Sequence, residues 1–286
     1  FMLYPGDRIN QVLDEALDKT EGLQARDLFE KDVLQQFWPV TDPDVLDAVV
    51  AEMAPKKNLI IADGHHRYET ALNYRDEMRE KHPDTPANAG FNFRMVTMVS
   101  MDDPGLVILP THRLIHSYGK MTAPEILEEA KETFNLIPVD SREALEAALD
   151  EATPDHPRFG FYNGGYTVLE LKTPDVMDRL LPGRDPAWRM LDVSVLHEVL
   201  IQRVMDISEE AVERKENIEY LRDPQMGYDA VDDGEAEFLF VLNPTRMEQV
   251  RACTAAGEKM PQKSTDFYPK VISGMVMLPI GVDERL

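Results

Sequence analysis

The sequence predicts an α/β protein of mixed, α+β-type sheets and helices, and three observations carry that prediction. The first is the stretch Asn58 to Arg79, NLIIADGHHRYETALNYRDEMR: an apolar run from Leu59 to Ala62, a polar turn from Asp63 to Arg67, then a segment free of Gly and Pro until Pro83. An apolar run bounded by polar residues reads as a strand covered on both faces, and the segment after it as a helix. The second is a repeat of that order, strand, turn with an arginine, helix, over Glu237–Leu242, Asn243–Arg246 and Met247–Ala256. The third is the alternation elsewhere of short β-like runs with amphipathic stretches, separated by Pro- and Gly-containing turns.

From the N-terminus, Ile9, Val12, Leu13, Ala16 and Leu17 fall on one helical face behind a capping Asp7. Leu28–Phe29 and Val33–Val40 read as a hairpin around Glu30-Lys31-Asp32. Thr41-Asp42-Pro43 opens a helix to about Met53, with proline at its first turn. Lys56 and Lys57 then lead into the central strand, as a solvated turn or a weak attraction for anions. Phe93–Met101 alternates as a strand, Asp102-Asp103-Pro104-Gly105 is a turn, and Leu106–Leu109 returns as a strand ending at the polar group Pro110-Thr111-His112-Arg113. Helices follow over Pro124–Phe134 and Arg142–Glu151 around a strand near Leu136–Val139. Arg158–Tyr162 and Tyr166–Leu171 form a hairpin over Asn163-Gly164-Gly165. Pro174 and Pro186 each start a helix; the second carries Trp188, Leu191, Val195, Leu196 and Leu200 on its apolar side, with Asp192 and His197 at the edge. Ile218–Leu221 is a further strand, Met260–Lys270 a polar segment with Lys263 and Ser264, and Val271–Leu278 a last apolar strand.

The chain has 286 residues, room for two α/β regions, placed at 1–155 and 156–286 with the division at Pro154–Pro157. A net charge of −23 counts against nucleic acid as a partner. No apolar run approaches the roughly 20 residues of a membrane span, and the single cysteine, Cys253, permits neither an intrachain disulfide nor a cysteine-built metal site. The expected setting is cytoplasmic, with a small-molecule partner and the assembly state left between monomer and homo-oligomer.

The turn at Asp63–Arg67 is where the chemistry concentrates. A strand end feeding a helix start presents unpaired amides and a positive dipole end, which suits an anion. Gly64 allows close backbone approach, Arg67 offers a planar fork for phosphate or carboxylate, and His65 and His66 can donate, accept or ligate. The alternative is a plain turn capped by Asp63. His112, Arg113, Asn243, Arg246, Lys263 and Ser264, gathered at other turns of an acidic protein, complete the set of candidate phosphate or cofactor contacts, against the bland readings of a sheet rim and a helix cap.

ADGHHRYETALNYRDE also resembles the signature of the prokaryotic family known as domain of unknown function 1015. The resemblance runs on through MDDPGLVILPTHRLI, LDVSVLHE, FVLNPTRMEQVRA and MPQKSTDFYPK, in order along essentially the whole chain. Family members are longer, with a segment ahead of an LYPD-like stretch. Leu3-Tyr4-Pro5-Gly6-Asp7 resembles that stretch, so the resemblance implies a fragment lacking an upstream His-Glu element. DGHHR is in turn similar to the phosphate-binding motif of the ParB/sulfiredoxin-like superfamily, which includes a free-serine kinase. That similarity implies a ParB/sulfiredoxin-like core with a second α/β subdomain, and a kinase acting on free serine with a nucleotide or pyrophosphate.

Three functions are therefore expected in order. The first is small-molecule phosphotransfer, with Asp63, His65 and Glu69 as catalytic groups, Asp63 as the ligand of a Mg2+ ion, and a nucleotide or pyrophosphate as donor. No P-loop or kinase glycine-rich loop is present, so the DGHHR turn must do their work. The second is a ParB-like nucleotide-binding regulator without turnover. The third is a metal-dependent hydrolase, disfavoured because adjacent histidines at a helix start point about 100° apart and no HExxH exists. Sulfiredoxin chemistry requires a cysteine where His65 and His66 stand.

Overall fold

A computed structural model describes residues 1–17, 20–27, 33–272 and 274–286. The protein is a mixed α/β molecule whose chain folds into two compact units, Phe1–Val107 with Pro269–Leu286, and Ile108–Tyr268. Pro154–Pro157, the division expected from sequence, lies inside the second unit.

The first unit holds β1 (Met2–Tyr4), α1 (Arg8–Leu17), β2 (Leu23–Arg26), β3 (Leu34–Phe37), α2 (Pro43–Met53), β4 (Ile60–Ile61), α3 (His65–Lys81) and β5 (Met98–Ser100). β1 is the middle strand of a three-stranded sheet, antiparallel to β4 and parallel to β5. β2 and β3 pair antiparallel, Leu23 opposite Phe37. Leu28–Phe29, expected as the first arm of this hairpin, lie outside the described residues. Asp42 caps α2 through the Asp44 amide at 3.0 Å, with Pro43 in the first turn. Lys56 donates to the Pro5 carbonyl at 2.8 Å, so it braces the fold.

β4 corrects one expectation. It is an edge strand, and Leu59 and Ile61 are exposed to 40% and 36%, so it is not covered on both faces. α3 likewise has no fully buried residue. Val271–Leu278 forms no strand among its described residues.

The second unit begins within β6 (Val107–Leu109) and continues through β7 (His112–Ile115), α4 (Ala123–Ala130), β8 (Phe134–Val139), α5 (Arg142–Asp150), β9 (Arg158–Tyr162), β10 (Tyr166–Leu171), α6 (Asp175–Leu180), α7 (Pro186–Arg189) and α8 (Asp192–Val195). After π-type turns over Leu196–Val204 come α9 (Glu209–Arg214), β11 (Ile218–Leu221), α10 (Pro224–Asp232), β12 (Phe238–Val241), α11 (Met247–Ala255) and β13 (Asp266–Tyr268), which pairs with β6. Six strands form an antiparallel sheet in the order β11-β7-β12-β9-β10-β8.

Strand period two explains its packing. Phe159, Phe161, Leu169, Leu171, Phe238 and Phe240 face one core, shared with α4 and the Leu196–Val204 turns. Tyr162, Val168, Leu239 and Val241 face the other, against Leu145 and Leu149 of α5 and Tyr228 of α10. A β-carbon on Gly160 would come within 2.6 Å of Leu145, so this strand position must be bare for α5 to lie on the sheet. The single helix expected from Pro186 is instead interrupted: Leu191 is extended (φ −65°, ψ 135°), which ends α7 and starts α8.

Candidate functional site

The turn before α3 is fixed by its strands. Ala62 and Asp63 donate their amides to the Phe1 carbonyl at 3.0 and 3.3 Å, and the Phe1 nitrogen donates to the Asp63 carbonyl at 3.1 Å. The chain then reverses through Gly64 in the left-handed region (φ 83°), where a side chain would be strained. Gly64, not Asp63, occupies the cap position, and no side chain caps the helix. The Tyr68 amide makes the first helical bond, to the Gly64 carbonyl at 3.0 Å. The amides of His65, His66 and Arg67 have no acceptor among the described residues, so a 17-residue helix presents three free N–H groups and its positive end together.

Arg67 folds back across the turn, and a β-carbon on Gly64 would lie 2.8 Å from its guanidinium. Asp63 is freed from capping and sits between cations, 3.5 Å from Arg67 and 3.8 Å from Lys270. These groups are half exposed, so each pair contributes little to stability, at most about 1 kcal/mol. Their role is electrostatic shape. A cavity of about 430 Å³ opens here, lined by Asp63, Gly64, Arg67, Tyr68, Arg94 and Lys270 among others. Among the described residues three cations face it against one carboxylate, a local positive excess in a chain of net charge −23.

Arg94 has no side-chain partner among the described residues. Sequence reasoning passed over it, since it lies inside an alternating run, Phe93–Met101, that reads as strand. It fell outside β5, and only its position against the turn distinguishes it.

His65, His66 and Glu69 are exposed and do not line this cavity. The His65 and His66 rings lie 4.0 Å apart, and His66 faces Glu69 at 3.6 Å on the helix surface. No group of three or more His, Cys, Asp or Glu side chains able to hold a metal occurs among the described residues. Asp63 is the one carboxylate in the lining among the described residues.

The remaining candidates belong to the second unit, where several are built into its framework. Arg113 is fully buried on β7, at a position facing the phenylalanine core. Its Nε donates to His197 Nε2 at 3.1 Å, its terminal nitrogens donate to the Thr111 and Lys263 carbonyls, the latter at 3.0 Å, and its plane covers the Tyr220 ring. Burial without a carboxylate partner pulls its pKa down to about 10. The same burial, helped by the Arg113 charge, depresses His197 to about 3 and His112 to about 4, so both imidazoles are neutral. His112 Nδ1 accepts from the Leu242 amide at 3.2 Å. Asn243 donates to the Leu149 carbonyl at 2.8 Å, and the Arg246 amide donates to Gln249 at 2.9 Å at the start of α11. Lys263 has φ 56°. Ser264 accepts from Thr245 through its carbonyl at 2.7 Å, while its buried Oγ has no partner among the described residues. Asp192 is raised to about 6 by burial, against the pull of Arg246.

Comparison with known proteins follows this geometry. The family model described as "Protein of unknown function (DUF1015)" matches residues 1–194. Comparison with curated proteins found no match. Among solved structures, a conserved hypothetical protein from Pyrococcus furiosus is similar at 11% identity and a TM-score of 0.37, over 93% of this chain and 86% of that one. A free serine kinase in complex with AMP is similar at 12% identity and a TM-score of 0.35, over 93% and 83%. A variant of free serine kinase in complex with ADP gives 10%, 0.36, 93% and 82%. Among the described residues no helix is long and apolar enough to cross a membrane.

Proposed function

The chain belongs to the DUF1015 family, and we propose that it binds the phosphate of a small molecule at the Asp63–Arg67 turn and transfers a phosphoryl group to a small hydroxyl-bearing acceptor. The observation that carries this is the basic cavity beside a helix start: Gly64, Arg67, Arg94 and Lys270 line it, next to a turn that leads into a helix whose first amides have no acceptor among the described residues. Phosphoryl transfer asks mainly for positive groups fixed around the phosphate oxygens and a carboxylate to orient the nucleophile. Arg67, Arg94 and Lys270 supply the first. Asp63 supplies the second, in the cavity wall between Arg67 and Lys270.

In the reaction, the acceptor hydroxyl oxygen forms a bond to phosphorus as the bond from phosphorus to the donor oxygen breaks. The hydroxyl proton passes to Asp63, and the departing oxygen keeps the electron pair. A Mg2+ ion fits here as a companion of the phosphates, because it commonly takes one or two carboxylates with phosphate oxygens and water. Asp63 is the residue that would hold it, the hydroxyl proton then passing to solvent water instead of to Asp63, and the ion would neutralise charge on the phosphates. His65, His66 and Glu69, on the exposed side of the first turns, are second in line as contacts to the far end of a ligand.

Calorimetric titration with Mg-ATP, Mg-ADP and pyrophosphate tests the site. Binding to the wild type that is lost in Arg67→Ala is the expected result, and equal affinity in the two proteins overturns the reading. Phosphorus NMR with an acceptor panel that includes free serine then tests turnover. Tight nucleotide binding without a phosphorylated product would favour the regulator over the transferase.

A further inference from the structure

The basic cavity shares a wall with a second one. Within the first unit a cavity of about 620 Å³ adjoins it, and Met95, Val96, Lys270 and Ile272 line both. The two differ in chemistry. Arg67 and Arg94 face only the first, whereas Phe37, Val99, Leu106 and Met275 face only the second. Its volume is within the roughly 300–1,000 Å³ usual for small-molecule sites.

Its polar groups are few. Asp103 is already engaged, accepting from Asn10 at 2.8 Å and from the Gly105 amide at 2.8 Å. Gln35 is different: it lies two residues from Phe37 on β3, on the same side of the strand, and its amide has no partner among the described residues. A largely apolar wall with the amides of Gln35 and its neighbour Gln36 at one side suits an uncharged, flat group that carries hydrogen-bonding atoms along an edge.

A phosphate held at Arg67 and Arg94 must send its organic substituent somewhere, and the shared wall leads here. Resting on the phosphate reading, we infer that the second cavity takes the nucleoside part of a nucleotide, with the base against Phe37, Val96 and Met275 and its edge at Gln35. Pyrophosphate or a sugar phosphate would leave that apolar wall without a partner. The glutamine amide both donates and accepts, so it reads the presence of a hydrogen-bonding edge and does not select one base.

The test compares Mg-ADP with Mg-pyrophosphate by calorimetry on the full chain, in the wild type, Gln35→Ala, Met275→Trp and Arg67→Ala. Met275 is 38% exposed in a segment without regular structure, so tryptophan there narrows the cavity without entering a core. The expected result is ADP bound at least about tenfold tighter than pyrophosphate, about 1.4 kcal/mol. Gln35→Ala and Met275→Trp should each shrink that advantage about threefold or more while pyrophosphate affinity holds. Equal affinity for ADP and pyrophosphate in the wild type, or an ADP advantage untouched by both substitutions, overturns the inference while leaving the phosphate site standing. Pyrophosphate binding that ignores Arg67→Ala overturns the phosphate reading, and the inference falls with it.

Discussion

Lowering the pH from 7 to 5 perturbs the second unit through its buried imidazoles. His112 and His197 are held at about 4 and about 3 in the fold, mainly by burial and then by the Arg113 charge. Once unfolded, each returns to about 6.5. Below pH 6.5 the unfolded chain therefore takes up protons that the folded chain refuses, and stability falls with pH at about 1.4 kcal/mol per unit for each imidazole. From pH 7 to 5 each costs about 2 kcal/mol. Asp192 works the other way. Its folded pKa of about 6 lies above the unfolded value, so the fold takes up its proton first and recovers about 1.3 kcal/mol over the same range. Glu198, raised by burial and by Glu209, adds in the same direction as Asp192. The lowered carboxylates, such as Glu170 with its Asn135 and Arg158 partners, titrate below this window.

The two imidazoles and Asp192 together give a loss of about 2.5 kcal/mol between pH 7 and 5, which Glu198 reduces, a sizeable part of an ordinary domain's 5–15 kcal/mol. Urea denaturation followed by the emission of buried Trp188, in a Trp38→Phe background, measures the second unit. His197→Gln isolates the cause, because its amide oxygen still accepts from Arg113 while the titration is gone. That variant should lose about 2 kcal/mol less than the wild type over the same range. An identical pH profile in the two proteins would refute the neutral, buried imidazole.

Three other outcomes follow from the geometry. Arg94→Ala should weaken pyrophosphate binding roughly three- to tenfold, about 0.7–1.4 kcal/mol, and leave the melting temperature unchanged because the side chain is exposed; full affinity would remove Arg94 from the site. Gly64→Val should damage both binding and stability, by about 1–3 kcal/mol, since φ is 83° and the new β-carbon meets Arg67; a stable variant with normal titration would show that the turn tolerates a branched residue. Gly160→Ala should cost about 1–3 kcal/mol by overpacking, because Leu145 at 2.6 Å and Val241 at 3.0 Å enclose the position, and an unchanged unfolding midpoint would show that α5 can shift.

The sequence by itself determined the local pieces. Proline and Asp42 open α2, the Asn163–Gly165 turn sets the β9–β10 hairpin, and strand, glycine turn and helix succeed one another at Ile60–Lys81, because caps, turn chemistry and period are local properties. It also marked the DGHHR turn as a place for an anion. What it left undecided depends on contacts distant in sequence. Residues 93–97 read as strand, yet Arg94 lines a cavity with Lys270, far along the chain. His65, His66, Arg67 and Glu69 look equivalent in a row, but a helix start turns Arg67 into the cavity and His66 onto the surface beside Glu69.

His112 and Arg113 show the same limit from the other side. As letters they are a polar cluster at the end of a strand. In the fold they begin β7, inside a six-stranded sheet, where an arginine occupies a core-facing position and is satisfied by carbonyls and His197 instead of a carboxylate. The two-unit division depends on the last segment, Pro269–Leu286, returning to the first unit. Composition carries no trace of that return. Local propensity specifies elements, and only packing between distant segments decides which of their polar groups are spent on the framework and which are left facing a cavity.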